Sequence, residues 1–473
     1  MKEAYKILPV CAGDVSGIAS ALYELGGMVV IHDPSGCNST YNTHDEIRWY
    51  DQESYIFISG LNMRDAILGN DRKFIDDIVE AAGELDPKPC FIAICNSPVP
   101  YLNGTDFNGI CRLVEARCGI KTFYVPGNGM HDYVRGAGRA FLEYARHMLP
   151  APGQGTGSST DSADSLKATC CTDSVSGQKA DRGAQLPVSE RVSCGAESSV
   201  RLQAVRDMDS QGFVPGTGQS RRPRVCVLGA TPLTYGNRKT IPHLRCILQK
   251  AGFDVTAVWA MGSTPQEIYK STDADVNLVI SDTGILAARY LKETYGIPFV
   301  AGAPVTRKLW AELARKLMEA AEQPFQLQQD ETVLLMRRDA AGTRNGGKSV
   351  SILIGEAVLS ASLAASARGT AIILCPFPDS RPLLGPEDRF FDGEEELTKC
   401  ISDVRRNHPD AVIDIWADPM YKCVLPADLV FHPLPVLACS GRLYRTQFPD
   451  YFGWVEGEGM QDNLWRRHGA CTI

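Results

Sequence analysis

The sequence contains no apolar run of the roughly 18 residues that a membrane span requires. Its first residues, MKEAYKILPVCAG, also lack the apolar stretch of a secretory signal. No Ser–His–Asp arrangement, paired-carboxylate signature or zinc-protease motif is present. We therefore expect a cytoplasmic protein without membrane contact, and the sequence identifies no catalytic residue.

The chain has fewer basic than acidic residues. It contains 48 Lys and Arg and 56 Asp and Glu, which gives a net charge of −8. This balance argues against nucleic acid as a partner. The 473 residues suffice for about three domains of about 150 residues each. The 44% hydrophobic and 22% charged composition is that of a globular chain.

Short apolar segments alternate with amphipathic ones along most of the chain, which is typical of parallel sheets covered by helices. The pattern predicts an α/β fold of three Rossmann-like, doubly wound parallel-sheet domains. In the first domain, a helix is expected to begin with Asp14 as its N-cap. The predicted divisions are a first domain at 1–150, a flexible Ser/Gly-rich linker or insertion at 151–222, a middle domain at 223–327 and a C-terminal domain at 328–473.

Three of the sixteen cysteines stand out by their surroundings. Cys11 lies in PVCAGDVSG, Cys37 in HDPSGCNST and Cys95 in FIAICNSPVP, each after an extended run and before turn-forming residues. Three thiolates converging from strand-end loops would suit an iron–sulfur cluster or zinc. The alternative is three unrelated buried thiols, since free cysteine is common in protein cores. No CxxC motif is present to decide between them.

The sequence motifs around these cysteines resemble those of the nitrogenase component 1 family. HDPSGC, ending at Cys37, stands where that family usually has HGPxGC. The segments Met63–Ala81, Cys95–Asp106 and Val276–Val300 are similar to further family segments, in the same order. The family includes the molybdenum–iron protein subunits, a paired cofactor-assembly scaffold and the catalytic subunits of dark-operative protochlorophyllide reductase. The resemblance covers nearly the whole chain except the linker.

The resemblance implies a set of cluster ligands. Cys11, Cys37 and Cys95 match the family's three cluster-ligating cysteines, which implies a 4Fe-4S or P-cluster-like cofactor. Gly36 would allow close backbone approach to the cluster, or is an ordinary turn glycine. Three thiolates leave one position of a cubane open. A partner chain, another residue or an exogenous group would fill it.

One departure from the family limits the chemistry. Where the molybdenum–iron protein's catalytic subunit carries a cofactor-anchoring cysteine, this chain has Ser281, a poorer ligand for iron. The segment matching the second anchor, at 443–460, contains no histidine. The resemblance therefore argues against the molybdenum–iron cofactor and against dinitrogen reduction.

By resemblance, the chain is expected to be an iron–sulfur oxidoreductase subunit of the component 1 type. An ATP-dependent iron-protein reductase would supply its electrons, and its substrate would bind between the three domains. The alternatives are a cofactor-assembly scaffold and a non-catalytic partner subunit. The resemblance also implies a homodimer, or a heterodimer with a related subunit.

Overall fold

The computed structural model describes residues 6–8, 11–34, 46–48, 55–152, 221–322, 349–367, 369–440 and 447–456. The chain divides into two units, one formed by Met1–Cys171 with Pro223–Ile473 and the other by Thr172–Arg222. Of the second unit, only residues 221 and 222 are described. The described part of the first unit contains three sheets, and all the strand pairs recorded in them are parallel. The predicted α/β class with three parallel sheets is confirmed.

The first sheet has the strand order β2-β1-β3-β4. Its strands are β1 (Met28–His32), β2 (Ile56–Ile58), β3 (Ile92–Asn96) and β4 (Thr122–Val125). Six helices accompany it: α1 (Asp14–Leu22), α2 (Met63–Leu68), α3 (Asp71–Glu84), α4 (Pro98–Asn103), α5 (Phe107–Cys118) and α6 (Tyr133–Met148).

Helices cover both faces of this sheet because its central strands are apolar on both sides. Val29 and Ile31 of β1 belong to the same core cluster as buried residues of α1 and α6. Met28 and Val30 pack in a second cluster with α3 and α5. Alternate residues of a strand face opposite sides, so a continuously apolar strand requires cover on each. The first sheet is therefore doubly wound, as predicted.

Helix α1 packs closely against α6 because glycines stand at the contact. A Cβ on Gly17 would overlap the main-chain oxygen of Tyr133, and one on Gly136 would overlap that of Asp14. The prediction of Asp14 as N-cap was wrong. Gly13 is the N-cap and makes no side-chain cap bond, while Asp14 is the first helical residue.

The second sheet has the order β6-β5-β7-β8. Its strands are β5 (Arg224–Leu228), β6 (Asp254–Val258), β7 (Val276–Val279) and β8 (Phe299–Ala301). Its helices are α7 (Thr240–Lys250), α8 (Pro265–Tyr269), α9 (Ile285–Tyr295) and α10 (Arg307–Glu322). Buried residues of α6 and α9 lie in one core cluster, which joins the first sheet's layer to the second.

The third sheet has the order β11-β10-β9-β12-β13. Its strands are β9 (Ser349–Ile354), β10 (Thr370–Cys375), β11 (Arg389–Phe390), β12 (Val412–Ala417) and β13 (Val430–Pro433). Its helices are α11 (Ala357–Ala364), α12 (Glu394–Asn407) and α13 (Leu437–Ser440). No helix in the described part of the chain is both long and apolar enough to cross a membrane.

Candidate functional site

The order of the strands reverses once in each sheet. The reversal falls between β1 and β3, between β5 and β7, and between β9 and β12. In open parallel sheets, ligands bind at such a reversal, in the crevice outside the carboxyl ends of the strands. The residues that follow these six strands are therefore the first candidates for a functional site.

The first crevice lies beyond β1 and β3. Cys95 is the penultimate residue of β3 and pairs with Ile31 of β1. The Ser97 hydroxyl donates a hydrogen bond of 2.9 Å to the His32 carbonyl, which joins the ends of the two strands. The chain leaving β1 leads to Gly36 and Cys37, and these two predicted site residues lie outside the described residues.

Cys11 lies at the same edge of the sheet, because Asp14 fixes the start of α1 there. The Asp14 carboxylate accepts hydrogen bonds of 2.9 Å from the main-chain N–H groups of Asn128 and Gly129, in the loop after β4. The Tyr133 N–H donates a bond of 2.9 Å to the Ala12 carbonyl. The two described members of the predicted cysteine set thus share one edge of the first sheet.

The thiol of Cys95 is fully buried. Burial raises its pKa far above the ordinary range, and the charges of Asp14 and Asp33 raise it further. A free thiolate is therefore unfavourable there, whereas the positive charge of a bound metal deprotonates a coordinating thiol. The soft sulfur donors of Cys11 and Cys95 fit an iron–sulfur group. Within the described ranges, however, no three histidine, cysteine or carboxylate residues are gathered as metal ligands.

His32, at the end of β1, is held in place by contacts within the protein. Its Nδ1 lies 2.8 Å from the Ser59 hydroxyl, and its ring stacks on Phe74 at 3.9 Å between centroids. Burial lowers the pKa of His32 to about 4, against the opposing charges of Asp33 and Asp65. The imidazole is therefore neutral at pH 7.

The second and third crevices face each other through a group of buried oxygens. The Ser281 hydroxyl, beyond β7, donates a hydrogen bond of 2.7 Å to Glu356 Oε2, beyond β9. The Asp282 carboxylate accepts bonds of 2.8 and 2.7 Å from the N–H groups of Ala357 and Val358, in the first turn of α11. The Ser380 hydroxyl bonds to the same carboxylate. The Ser281 hydroxyl is thus engaged in hydrogen bonds within the protein, with Glu356 and with the Thr283 N–H.

Glu356 lies at this contact in surroundings that disfavour its charged form. Burial raises the pKa of its carboxyl well above the ordinary value, and neighbouring Asp282 raises it further. Its Oε1 atom is buried and has no hydrogen-bond partner in the described part of the chain. Burial is also the main cause of the raised pKa values of Tyr133, Tyr235 and Tyr451, and the charge of Glu356 adds to each. These three phenols are therefore protonated, and they lie close enough to Glu356 to be influenced by its charge.

Asp418 follows β12 and completes the third crevice. Its Oδ2 accepts a hydrogen bond of 2.8 Å from the Val436 N–H, which fixes the chain entering α13. The Ala438 N–H donates to the Leu233 carbonyl at 3.1 Å, and the Ala438 carbonyl accepts from the Ala12 N–H at 2.7 Å. Helix α13 is therefore bonded to the segments that follow the second sheet's β5 and precede the first sheet's α1.

This arrangement places Cys439 beside Cys11, with 2.6 Å between the two sulfur atoms. Sequence reasoning did not identify Cys439, Glu356 or Asp418 as site residues. Glu356 and Asp418 each follow an apolar strand segment closely, and that position could have indicated them. No comparable signal marked Cys439, because its partner is 428 residues away along the chain.

The fold and these crevices define an α/β protein with three parallel sheets, in which loops that follow strands of the different sheets contact one another. The family model "Nitrogenase component 1 type Oxidoreductase" matches residues 21–384, which is more than half of the chain. The chain belongs to this family, as the sequence motifs predicted.

Individual relatives match over shorter stretches. A light-independent protochlorophyllide reductase subunit from Methylobacterium radiotolerans is 34% identical over 105 residues, which are 21% of this chain and 20% of the relative. The corresponding polypeptide from Rhodospirillum rubrum is 33% identical over 133 residues, 25% and 23% of the two chains. The matched segment thus spans about a fifth of the length of these relatives.

Solved structures agree on the fold. Nitrogenase Cp1 at pH 5 superimposes with a TM-score of 0.52 over 99% of this chain and 90% of its own, at 13% identity. The structure of nitrogenase Cp1 at pH 6.5 gives a TM-score of 0.53, with 99% and 91% covered, also at 13% identity. At this identity, the likeness supports the fold alone.

Proposed function

We propose that this chain is an iron–sulfur redox subunit of a nitrogenase-like oxidoreductase. Cys11, Cys37 and Cys95 would hold the cluster, which supplies one-electron transfer when bound. An ATP-dependent iron-protein reductase would supply the electrons, and an as yet unidentified substrate would accept them between the three domains. The observation that carries the proposal is the placement of Cys11 and Cys95 at one edge of the first sheet, beside its strand-order reversal.

Glu356 favours a reductase over a cofactor-assembly scaffold. Reduction of an unsaturated substrate consumes protons as well as electrons, and burial raises the pKa of Glu356, which lies between the second and third crevices. The buried Oε1 of Glu356 has no hydrogen-bond partner among the described residues. A scaffold that only holds a metal precursor has no need of a buried neutral acid.

The molybdenum–iron cofactor does not fit the second crevice through Ser281. The Ser281 hydroxyl is buried and bonded to Glu356, and a neutral alcohol is a poor ligand for iron. We therefore propose that the substrate is not dinitrogen. Metal analysis of the anaerobically purified protein should find iron and sulfide without stoichiometric molybdenum or vanadium. Either of those metals, together with acetylene reduction, would contradict this part of the proposal.

A partner subunit is supported by an exposed apolar patch on α2 and α4. The patch comprises Met63, Ile67, Leu68, Tyr101 and Leu102, whose exposed fractions are 81%, 74%, 72%, 51% and 77%. The Asn103 side chain donates a hydrogen bond of 2.5 Å to the Ala66 carbonyl, which holds the two helices together. Tyr101 also lines a cavity of about 270 Å³ at the end of β3. Contiguous exposed apolar surface of this kind commonly marks a protein interface.

The test of the proposed function is anaerobic purification of the wild type and of the Cys11→Ala and Cys37→Ala variants, followed by iron, sulfide and native-mass determination. The wild type should contain iron and sulfide and absorb broadly in the visible range. Each variant should lose most of both. Cys423→Ala is the matched control, because Cys423 is an exposed thiol of the third domain. A wild type without iron or sulfide would refute the proposal.

A further inference from the structure

Cys11 and Cys439 are two thiols in contact, one before α1 of the first sheet and one in α13 of the third. Their sulfur atoms are 2.6 Å apart. Ten cysteines in the described part of the chain are free, and among them this is the pair whose sulfur atoms touch. The two residues are 428 positions apart, so the fold brings them together and no local turn does.

The main chain holds the two thiols in place. The residue after Cys11 and the residue before Cys439 are joined by the 2.7 Å hydrogen bond from the Ala12 N–H to the Ala438 carbonyl. The Ala438 N–H donates to the Leu233 carbonyl at 3.1 Å, and the Cys439 N–H donates a bond of 3.0 Å within α13. The contact therefore does not depend on a chance rotamer of either cysteine.

The geometry suits a bond between the two sulfurs and not a metal atom shared by them. Two thiolates on one tetrahedral metal atom, with bonds of about 2.3 Å, lie about 3.8 Å apart. The 2.6 Å between Cys11 and Cys439 is too short for that arrangement, and within the described ranges no set of three metal ligands is gathered. A disulfide bond has a sulfur–sulfur distance of about 2.05 Å, which a small closing movement would reach.

Both thiols are also partly exposed, which a reaction with a small molecule requires. Cys11 and Cys439 are half-buried, whereas the thiols of Cys95, Cys226 and Cys375 are fully buried. Thiol–disulfide exchange begins when a thiolate attacks an outside disulfide, and it is completed when a second thiol lies within reach of the mixed disulfide. The pair fulfils both conditions.

We propose that Cys11 and Cys439 are a redox-sensitive dithiol that closes to a disulfide bond under oxidising conditions and reopens under reducing ones. The oxidant is a small disulfide such as oxidised glutathione. One cysteine attacks it and releases a first glutathione, and the other cysteine then displaces the second. The protein loses two electrons and two protons, and one glutathione disulfide becomes two glutathione thiols.

The cross-link has a consequence for the metal chemistry, and this consequence alone rests on the proposed function. A thiolate is the form of cysteine that binds metals, and a sulfur in a disulfide is not a thiolate. Cys11 therefore cannot bind iron while it is joined to Cys439. The disulfide and the cluster exclude each other, so the pair makes cluster loading dependent on a reducing environment.

The first experiment tests the disulfide without requiring a variant to fold. Wild type purified without iron is treated in its native state with oxidised glutathione, its remaining thiols are alkylated, and the non-reduced peptides are mapped by mass spectrometry. We expect the Cys11–Cys439 cross-link, and its loss on treatment with dithiothreitol. If both cysteines stay free, or if each carries its own glutathione, the inference is overturned.

Variants sharpen this result. Cys439→Ser should form no cross-link and should keep one glutathione on Cys11, because the displacing thiol is missing. Cys400→Ser is the matched control, since Cys400 is also a half-buried free thiol and lies in α12 of the third sheet. It should form the cross-link as the wild type does. Circular dichroism verifies that both variants fold. Equal loss of the cross-link in the two variants would contradict the pairing.

The second experiment separates the inference from the proposed function. Reduced wild type is loaded anaerobically with ferrous iron and sulfide, freed of the excess, and then treated with oxidised glutathione. The cross-link should form about tenfold more slowly than in the iron-free protein, because Cys11 is engaged. Undiminished cross-linking of the loaded protein would overturn the mutual exclusion. If the wild type takes up no iron, the proposed function fails, while the disulfide is still decided by the first experiment.

Discussion

The crevice of the first sheet and the paired crevices of the second and third sheets occupy equivalent places in the fold but differ in their chemistry. The first contains Cys11 and Cys95, whose sulfur atoms suit iron. The other two meet through Ser281, Asp282 and Glu356, which present only oxygen. Equivalent strand-order reversals therefore carry sulfur donors in the first sheet and oxygen donors in the other two.

This difference explains why the same chain can resemble a nitrogenase subunit and yet depart from it at Ser281. The strand order determines where a ligand can bind, whereas the side chains that follow the strands determine which ligand.

The largest expected effect comes from removing a soft donor. Cys95→Ala should lower bound iron at least fourfold, because a cubane that loses one of its thiolates is easily lost from the protein. The matched control is Cys226→Ala, since Cys226 is likewise a fully buried thiol in a central strand, β5, but faces no cysteine crevice. Iron analysis after anaerobic purification measures both. Equal iron loss in the two variants would show that core packing, and not ligation, is responsible.

The second prediction concerns dimer formation through the apolar patch on α2 and α4. Ile67→Asp should convert a dimer to a monomer, because a charge in the middle of an apolar interface is left without a partner. An obligate interface usually buries more than about 2,000 Å², so a single charge can abolish it at micromolar concentration. Native mass spectrometry under anaerobic conditions gives the result.

The control for that experiment is Val412→Asp, which introduces the same charge at a residue that is 60% exposed in the third sheet. It should leave the oligomeric state unchanged. If Ile67→Asp remains fully dimeric, the patch on α2 and α4 is not the interface.

The third prediction tests whether Glu356, in the other two crevices, stays protonated in the folded protein. Because the folded-state pKa of Glu356 is raised, the folded protein keeps a proton that the unfolded chain releases above about pH 4.3. The stability contributed by the neutral carboxyl is thus complete at low pH and is lost as the pH rises toward the folded-state pKa. Glu356→Gln, which cannot ionise, should gain stability over the wild type by about 1.4 kcal/mol per pH unit within that range.

Denaturant unfolding between pH 4 and pH 8 measures this difference. Glu395→Gln, at a side chain that is 72% exposed, should run parallel to the wild type. Parallel curves for Glu356→Gln as well would mean that Glu356 is ionised in the folded protein.

A smaller effect is expected from Ser281→Ala. The variant removes the 2.7 Å hydrogen bond to Glu356 and should cost about 1 kcal/mol of unfolding free energy. It should leave the iron content unchanged, since Ser281 lies in the oxygen crevices. The exposed Ser402, changed to Ala, should stay within about 0.5 kcal/mol of the wild type. Iron loss in Ser281→Ala would mean that the two kinds of crevice are not chemically separate.

The smallest effect should follow deletion of the predicted linker at 151–222. The cysteine crevice, the oxygen crevices and the apolar patch are all built from residues outside it. A variant with a short Gly/Ser connection should therefore keep the iron content and native assembly of the wild type. Loss of either property would show that this segment contributes to the site or to the interface.

The central strands could be read from the sequence, but several edge strands could not. β1, β3, β5, β7, β9 and β12 are apolar runs of four to six residues, and each was predicted. The edge strands β2, β8, β11 and β13 were not identified, because they have only two to four residues. An edge strand with one neighbour needs less apolar surface, so its signal in the sequence is weaker.

The sequence by itself determined the fold class and the family, because these depend on local periodicity and on short motifs. The assignment of the three cysteines as ligands stays a prediction. Tertiary structure alone decided that Cys439 meets Cys11 and that Ser281 meets Glu356. These contacts join residues 428 and 75 positions apart. They arise because the loops beyond parallel strands gather wherever the sheets meet, and no local pattern records which distant loops will do so.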